Sequence, residues 1–566
     1  MYVCLLAGMF LLQGCFDLSE RPYTSIRTDM FEASQEDLVA MIGSGYTPLR
    51  WIMGWHGLWD LVEESSDIMI TPSRGSGWHD GGTYKRLHWH EWDINQSQPN
   101  NVWTNCFRGI NRINLVLGQF DDGTLPVSEA ELAPFRYELR ALRALFYSIM
   151  LDTHGNVPIV TAFNDEIPVQ STRKEVYDFV ISEMNAVIDN LSDEVGTVTY
   201  GRMNKWVAYS VLARVYLNAE VYTRAPGGAH KSGTPQWQAC IDMCNKIIAS
   251  GKYELEKNYR DVFKANNEGS KEIIFAVPYN EILTTGSGNF SAHMKSLIAE
   301  HRLVFNMQAQ PWGGIAANPQ FIDTYDPDDQ RFDDTWLHGE LRNMVSGEPI
   351  PAANDPNLQI AYSRKEIPSL LMATFYDGYR MGKYEIKLGT RDVLDNDFPY
   401  FRYADILMMK AECMMRLGDV DGAAAIVSTV RERSFANTNP AKAIVTGADL
   451  LADTKYQYGY YTIPDEPVGS PGWYNVTPNI DFAGTNQDPV EFGGFYDELG
   501  WEFACEARRR TDMIRFGTFQ TKTWFNHRPN MDVGPENIIL YIFGQSILNA
   551  NDKLRQNPGY PDIARN

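Results

Sequence analysis

The sequence predicts a mainly α-helical protein with a large irregular region in its middle. Two observations lead to this prediction. Between about 100 and 255, and again between 400 and 435, apolar residues recur at spacings of three and four, which is the period of amphipathic helices. Between about 256 and 397 the chain is instead rich in Gly, Pro, Asn and Asp, which favour turns and loops. The middle region is therefore expected to be a loop-rich insertion in a helical scaffold.

Four segments in the first half show the helical period. They are 131–155, which stops near Gly155, 171–191, which opens with Ser171 and Glu175 near a cap, 204–222 and 237–253. Their apolar stripes predict one buried face for each helix. Trp103 and Trp206 fall within helical patterns and are predicted to be core residues. Cys240 and Cys244 lie four residues apart, on one helical face, and are predicted to be buried thiols rather than a metal or disulfide pair.

The segment "FRYADILMMKAECMMRLGDVDGAAAIVSTVRERS", residues 401–434, predicts two helices joined by a tight turn at Gly418-Asp419. Ala411 in the first helix, the glycine at the turn and the alanine-rich second helix resemble a tetratricopeptide (TPR) repeat. A helix pair of this kind cannot bury its apolar face alone and must stack on neighbours. The helices are therefore expected to form one stacked array.

The N-terminal residues show the pattern expected of a lipoprotein signal. Residues 2–12 are apolar but shorter than the roughly 20 residues that span a bilayer, as in a signal-peptide core. "LQGC", ending at Cys15, resembles a bacterial lipobox, in which a small residue precedes the cysteine that is lipidated. We expect a signal peptide over 1–14, a lipid on Cys15 and a polar tether over 15–30. The first basic residue is Arg21, so we expect translation to start upstream.

Charge excludes some classes of partner. The 566-residue chain has a formal net charge of −22 and a sequence pI near 4.9, which opposes binding to nucleic acid or anionic lipid. The basic run Arg508–Arg510 is too short to reverse this field. With Asp512 it lies in a helix-like block, so these residues are predicted to form buried or interfacial ion pairs.

Several blocks together resemble the SusD/RagB family of Bacteroidota surface lipoproteins. The blocks are "YELRALRALFYSIMLDTHGNVPIV", "GRMNKWVAYSVLARVYLNAEVY", "FRYADILMMKAECMMRLGD", "EFACEARRRTDMIRFGTF" and "QNPGY". The resemblance implies one SusD-like domain over 31–566, with about four TPR-like helix pairs and an irregular ligand-binding region. It also implies a surface protein, anchored to the outer membrane by lipid, that binds polysaccharide or oligosaccharide and acts as a lid on a SusC-like TonB-dependent transporter. Neither catalysis nor a cofactor is implied.

Aromatic side chains are the first candidates for such a site, because sugar rings present flat C–H faces that stack on them. Starch-binding members of the family use aromatic residues from two loop regions. The matching regions here contain Trp78 in "SRGSGWHDGG", Phe290 in "GSGNFSAH" and Trp312 in "QAQPWGGIA". Flanking glycines or prolines leave Trp78 and Trp312 little to pack against. All three residues are predicted to be exposed platforms.

Polar candidates lie near these platforms in sequence. His79 and Asp80 follow Trp78 directly, and Asp67 and Arg74 precede it. Tyr384, in "MGKYEI" with Lys383, is a weaker candidate. Sequence alone does not separate these residues from solvated surface groups.

Three other functions are compatible with parts of the sequence. RagB-like relatives handle peptides, a glycoside hydrolase needs only a pair of carboxylates, and a pure scaffold would need no ligand. "HWHEWD" (88–93) lacks the second histidine of HExxH, and "DPDDQRFDD" lacks the spacing of an EF-hand. We therefore predict no catalytic residue and no metal site, and we favour glycan binding.

Overall fold

The computed structural model describes residues 35–123, 125, 127–284, 288–355, 358–463, 477–529 and 538–561. The predicted signal peptide, Cys15 and the tether lie outside these residues. No helix in the described ranges is long and apolar enough to cross a membrane.

Helices dominate the described chain, and most of the long ones lie between 97 and 249 or between 403 and 435, where the periodicity predicts them. In chain order they are α1 (Gln35–Met53), α2 (Leu58–Glu64), α3 (Thr83–Trp89), α4 (Ser97–Asp121), α5 (Glu129–Thr153), α6 (Arg173–Val187), α7 (Lys205–Leu217), α8 (Ala219–Tyr222), α9 (Trp237–Ala249), α10 (Ala292–Ser296), α11 (His301–Val304), α12 (Pro319–Ile322), α13 (Arg331–Thr335), α14 (Tyr403–Arg416), α15 (Val420–Phe435), α16 (Gly447–Leu451), α17 (Gly493–Phe503), α18 (Arg509–Phe516) and α19 (Gln545–Ala550).

Eight helices form a stacked array within the part of the chain that the structure describes. They pack as four pairs, α1 with α4, α5 with α6, α7 with α9, and α14 with α15. The pairs are joined through contacts of α4 with α5, α6 with α7, and α9 with α14. The prediction of a mainly α fold with about four helix pairs is confirmed. Helix α1 belongs to this array although the periodicity analysis did not single it out.

Local chemistry explains where these helices begin and end. Helix α6 opens with a capping box in which Thr172 accepts from the Glu175 backbone N–H and the Glu175 side chain accepts from Thr172, which satisfies two otherwise unpaired donors. The cap is one residue later than the Ser171 of the sequence prediction. Gly155 follows the end of α5 with φ +67°. Gly418, with φ +95°, makes the turn into α15, a conformation that glycine adopts without strain.

Short strands tie the irregular region to the array. The strands are β1 (Met69–Ile70), β2 (Ile273–Val277), β3 (Ala316–Ala317), β4 (Trp336–Leu337), β5 (Gly339–Glu340), β6 (Tyr362–Ser363), β7 (Arg380–Met381), β8 (Phe398–Arg402), β9 (Gly459–Thr462), β10 (Asn479–Asp481) and β11 (Trp524–Phe525). Strands β2 and β8 pair antiparallel, so the two ends of the irregular region lie side by side. Strands β1 and β3 also pair antiparallel, with Ile70 opposite Ala316. This second pairing brings two distant loops together.

The core holds apolar side chains and paired charges. Trp206 is buried, Trp103 is partly buried against the apolar core, and Cys240 and Cys244 are buried free thiols, as predicted. The basic run is also buried and ion-paired, because Arg509 pairs with Asp67 and Arg510 with Asp152, while Arg508 pairs with Asp405. Buried charges of this kind require partners. The prediction of a structural role for this run is therefore confirmed.

Candidate functional site

Three tryptophan side chains meet at the surface where the β1–β3 pairing joins two loops. Trp78 lies in the loop after β1, and Trp312 lies in the segment that leads into β3. Trp55 comes from the turn between α1 and α2. The ring centroids of Trp55 and Trp312 are 5.0 Å apart and their planes are perpendicular, at 89°. We call Trp55, Trp78 and Trp312 the aromatic cluster.

Hydrogen bonds and close packing hold the two loops in register. The Trp78 indole N–H donates to the Trp312 carbonyl at 2.9 Å. The Trp78 ring lies directly on Gly314, where a Cβ would come within 2.5 Å of it. Any larger side chain at 314 would therefore displace the ring. The Trp312 backbone N–H donates to the Met294 carbonyl at 2.7 Å, which anchors this loop to α10.

A layer of polar and aromatic side chains supports the cluster from behind. Trp55 stacks on His56 at 4.7 Å, and Trp78 contacts Tyr84 at 5.7 Å. His56 Nε2 lies 2.9 Å from the Tyr84 hydroxyl, and His56 Nδ1 lies 3.0 Å from the Ser97 hydroxyl. Burial lowers the pKa of His56, so the imidazole is neutral at pH 7 and one ring nitrogen can accept.

A buried ammonium lies under this layer. Lys295 Nζ is 4.1 Å from the Tyr84 ring centroid and 6.0 Å from that of Trp55. It pairs with Asp60 at 2.8 Å and Glu64 at 2.5 Å. Burial alone would lower the pKa of Lys295, but the two carboxylates raise it above its usual value. The site thus contains a positive charge that is already neutralised by the protein.

Trp78 is held in a strained backbone conformation. Its φ is +62°, in the left-handed region that a bulky side chain rarely adopts. A backbone conformation of this kind destabilises the folded protein by about 1–3 kcal/mol, and such strain is common at functional sites. The Lys85 ammonium donates to the Trp78 carbonyl at 3.2 Å, which helps to hold the conformation. The surrounding contacts therefore hold the ring of Trp78 in one position despite this strain.

The residues predicted to bind ligand now divide into two groups, of which the first is at the surface. Trp312 has 42% of its surface exposed, which confirms its predicted exposure. Trp78 is partly exposed, and His79 and Asp80 are exposed beside it. The His79 Nδ1 atom lies 3.2 Å from the Ser73 hydroxyl. The structure brings these four residues together with Trp55. Their contact with a ligand stays a prediction.

The second group is buried, and its predicted exposure is wrong. Phe290 is only 1% exposed and lies edge-on to Tyr384 and Phe398, with centroids 4.8 and 5.3 Å away. Tyr384 is buried too, and its hydroxyl donates to the Cys505 carbonyl at 3.0 Å. Lys383 is buried in an ion pair with Glu506. These side chains are core because β8 and the 504–506 segment cover them.

Asp67 and Arg74 are also buried, and their assignment as ligand contacts is wrong. Asp67 accepts from Arg509 Nε at 2.7 Å and from the Tyr458 hydroxyl at 2.6 Å. Arg74 Nε donates to the Gly314 carbonyl at 2.9 Å, and an Arg74 terminal nitrogen donates to the Asp377 carbonyl at 2.9 Å. Arg74 therefore pins the loop of Trp312 to the loop of Trp78. It shapes the site without facing it.

Sequence reasoning missed Trp55, although a signal was present. Trp55 stands between Gly54 and Gly57 in "MGWHGLW", the same glycine flanking that drew attention to Trp78. Trp51, one helical turn earlier on α1, is exposed over Gly288. Only the ring contact in the folded chain shows that Trp55 and Trp312, which lie 257 positions apart in the chain, share one surface.

Metal-binding geometry is absent from the described residues. No three His, Cys, Asp or Glu side chains among them are grouped so that they could hold a metal ion. In "HWHEWD", His88 and His90 are both buried, and His90 Nε2 lies 2.9 Å from the Ser65 carbonyl. Burial lowers the pKa of both histidines to about 3. They belong to an aromatic core that also contains Phe519, Trp524 and His527.

Comparison with protein families identifies the group to which this fold belongs. A family model described as "SusD family" matches residues 271–560, just over half of the chain. The chain belongs to the SusD family. A second model, described as "Starch-binding associating with outer membrane", matches residues 50–217. The two models together match six of the eight array helices and most of the irregular region, and the resemblance seen in the sequence is confirmed.

Individual SusD-family proteins agree over nearly the whole chain. The SusD-like protein P25 of Formosa agariphila is 24% identical over 94% of this chain and 94% of its own. The starch-binding protein SusD of Bacteroides thetaiotaomicron is 24% identical over 85% of this chain and 82% of its own. Among solved structures, surface glycan-binding protein A of B. thetaiotaomicron in complex with laminarihexaose has a TM-score of 0.65 at 17% identity, covering 93% and 100% of the two chains. This likeness shows a shared fold.

Proposed function

We propose that this protein is a cell-surface glycan-binding lipoprotein that captures polysaccharide or oligosaccharide and delivers it to a SusC-like TonB-dependent transporter. One observation carries the proposal. Three indole rings from separate parts of the chain converge on one surface, and 42% of the surface of Trp312 is left in water. A folded protein gains no stability from exposing a large apolar ring. A strained and partly exposed cluster is instead suited to binding a ligand.

Named relatives support a glycan as that ligand. One relative is a starch-binding protein, and one protein of the same fold was solved with laminarihexaose. In this chain the Trp55, Trp78 and Trp312 rings would stack on the C–H faces of sugar rings. The exposed His79 and Asp80 would hydrogen-bond the hydroxyl groups and set the register of the bound chain. Once glycan is captured, the protein would close over the transporter as a lid.

Affinity electrophoresis of the purified protein across a panel of polysaccharides tests this function. We expect one glycan to retard the wild type, and Trp312→Ala to weaken that retardation at least tenfold. Phe163→Ala is the matched control, because Phe163 is an exposed aromatic residue outside the aromatic cluster. If the two variants are retarded equally, Trp312 is not a platform. If no glycan retards the wild type, a peptide ligand or a scaffold role replaces the proposal.

The proposal includes the absence of catalysis. Members of this family are described as binding proteins. We expect the purified protein to release no reducing ends from any polysaccharide that it binds. If purified Trp312→Ala protein releases reducing ends from a polysaccharide, and substitution of a carboxylate residue abolishes that release, the protein is a glycoside hydrolase and this proposal is wrong.

We further propose that the chain is cleaved before Cys15 and anchored to the outer membrane by a lipid on that thiol, with residues 15–30 as a tether to the domain over 31–566. Support comes from the "LQGC" motif and from the family description, which names the outer membrane. We expect Cys15→Ala to move the protein out of the membrane fraction and to stop its co-purification with a transporter. A Cys106→Ala variant, which removes a buried thiol, controls for loss of a cysteine.

A further inference from the structure

A second cavity lies in the irregular region, apart from the aromatic cluster. Its volume is about 690 Å³, within the 300–1,000 Å³ that is usual for small-ligand sites. It opens between α11, α13, strands β4 and β5, and the 382–386 segment. None of the residues of the aromatic cluster lines it. We call it the His301 cavity.

The floor of the cavity is apolar. Val304, Phe305, Leu341 and Ile386 line it and belong to one small buried cluster, and Leu337 borders it half-buried. A ligand that occupies the cavity must therefore present at least one apolar face. Removing such a face from water is the main source of binding free energy in sites of this type.

His301 supplies an unsatisfied hydrogen-bond donor. The Ile298 backbone N–H donates to His301 Nδ1 at 3.1 Å, so Nδ1 is the acceptor and the proton resides on Nε2. That Nε2 atom is buried and has no hydrogen-bond partner among the residues that the structure describes. Burial, more than the nearby Arg380, lowers the pKa of His301 to about 3. His301 thus places a neutral N–H donor in the wall of the cavity, and leaving a buried donor without a partner is unfavourable.

Most charged groups at the rim are held in ion pairs, and the Glu385 carboxylate accepts from the Ala265 backbone N–H. Arg260 binds Asp334 and Lys264 binds Asp261, both at 2.6 Å, and Arg342 binds Glu340. These pairs leave little attraction for an ionised ligand such as a phosphate or a uronate. Neutral amides add hydrogen-bonding capacity, since Asn258, Gln330 and Asn437 also line the rim.

We propose that the His301 cavity is a second binding site for a short, uncharged oligosaccharide. A sugar ring combines an apolar C–H face, which fits the floor, with hydroxyl groups that accept from the His301 N–H and exchange hydrogen bonds with the rim amides. A purely apolar ligand would leave the His301 donor unpaired, and an anion would meet charges that are already neutralised. The site would hold a short glycan segment independently of the aromatic cluster.

Histidine-selective NMR of the whole chain tests this inference. The titration uses Trp312→Ala protein, in which the aromatic cluster is disabled, with maltotriose, cellotriose and laminaritriose. We expect one trisaccharide to shift the His301 ring signal saturably, and His301→Gln identifies that signal by its absence. Leu337→Trp, which narrows the cavity from its half-exposed edge, should weaken the binding at least tenfold. Leu303→Trp is the matched control, because Leu303 is exposed on α11 and does not line the cavity.

Each outcome decides one question. A His301 signal that is unmoved by all three trisaccharides overturns the second site, even if the wild type binds a polysaccharide through Trp312. Equal binding by Leu337→Trp and Leu303→Trp overturns the assignment to this cavity. A shift of His301 in a protein that no polysaccharide retards would support the second site while the proposed role of the aromatic cluster fails.

Discussion

Phe290 and Trp312 show how differently two aromatic residues of neighbouring loops are used. Both were predicted to be platforms, yet Phe290 is enclosed by Trp59, Tyr384 and Phe398, whereas Trp312 contacts Trp55 at the surface. The side chain of Phe290 therefore contributes to the stability of the fold. The side chain of Trp312 is free to contribute to binding.

This difference predicts opposite effects of truncation. Phe290→Ala should lower the free energy of unfolding by about 3–5 kcal/mol, the range for a large aromatic residue removed from a core. Trp312→Ala should lower it by less than about 1 kcal/mol while weakening glycan binding. Urea unfolding followed by tryptophan fluorescence and by circular dichroism measures both. A larger loss for Trp312→Ala than for Phe290→Ala would contradict the assignment.

Glu63 is a buried acid that should make stability depend on pH. One carboxylate oxygen accepts from the Ala507 N–H at 2.8 Å, and the other has no partner among the described residues. Burial raises the pKa of Glu63 to about 8, although the Ala507 N–H and Lys383 oppose the shift. In the unfolded chain the pKa of a glutamate is about 4.3. Between about pH 4.3 and about pH 8, Glu63 is therefore mostly protonated in the folded protein and mostly ionised in the unfolded chain.

Because of this difference, Glu63 should lower the free energy of unfolding as pH rises from about 4.3 to about 8, by up to about 1.4 kcal/mol per pH unit. Glu63→Gln removes the titration. We expect this variant to gain stability relative to wild type between pH 5 and pH 8, measured by urea unfolding at three pH values. A difference between the two proteins that does not change with pH would show that Glu63 is not the group responsible.

At the scale of elements, a buried charge network joins the irregular region to the helical array. Arg402, at the end of β8, binds Glu272 and Glu502 at 2.7 Å each and also binds Glu506. Arg433 on α15 binds Glu502 at 2.6 Å. The three arginines around Glu502 (Arg331, Arg402 and Arg433) outweigh the effect of burial and lower its pKa. The network therefore fixes β8, α15 and α17 against one another.

Removing the Arg402 guanidinium should lower the free energy of unfolding strongly. Arg402→Met leaves three carboxylates with fewer positive partners, and breaking a buried pair typically costs about 3–5 kcal/mol. We expect a loss of that size in urea unfolding. Lys174→Met is the control, because Lys174 and Asp178 form an exposed pair on α6, worth at most about 1 kcal/mol. Similar losses in both variants would show that the network contributes no more than a surface pair.

At the scale of the whole molecule, the net charge of −22 predicts how salt affects binding. The proposed contacts are ring stacking and hydrogen bonds to uncharged sugars, and Lys295 is neutralised by Asp60 and Glu64. Raising ionic strength from about 0.05 M to about 0.5 M shortens the range of charge interactions but should change the affinity for a neutral glycan by less than threefold. Calorimetric titration at both salt concentrations measures this. A tenfold change would indicate an ionised ligand.

Much of the fold and part of the site followed from sequence patterns. The helical period, the turn at Gly418 and the burial of Cys240 and Cys244 depend on residues near one another in the chain, so their physical causes are visible in a short window. The exposure of Trp312 was predictable for the same reason, since its neighbours Pro311 and Gly313 offer it little cover. The sequence blocks that resemble the SusD family also predicted the order of the helical segments and the irregular region along the chain.

What the tertiary structure decided depends on residues far apart in the chain. Asp67 and Arg74 stand beside a glycine-rich loop, which favours exposure, yet Arg509 and Asp377 bury them from 442 and 303 positions away. Phe290 is core because distant segments cover it. Trp78 and Trp312 lie together because β1 pairs with β3, and the turn between α1 and α2 places Trp55 against Trp312. The sequence by itself therefore determined the helical scaffold and the family, since these rest on local periodicity and motif order. Only the packed chain decided which aromatic and charged side chains are exposed, because burial is set by contacts that no local pattern records.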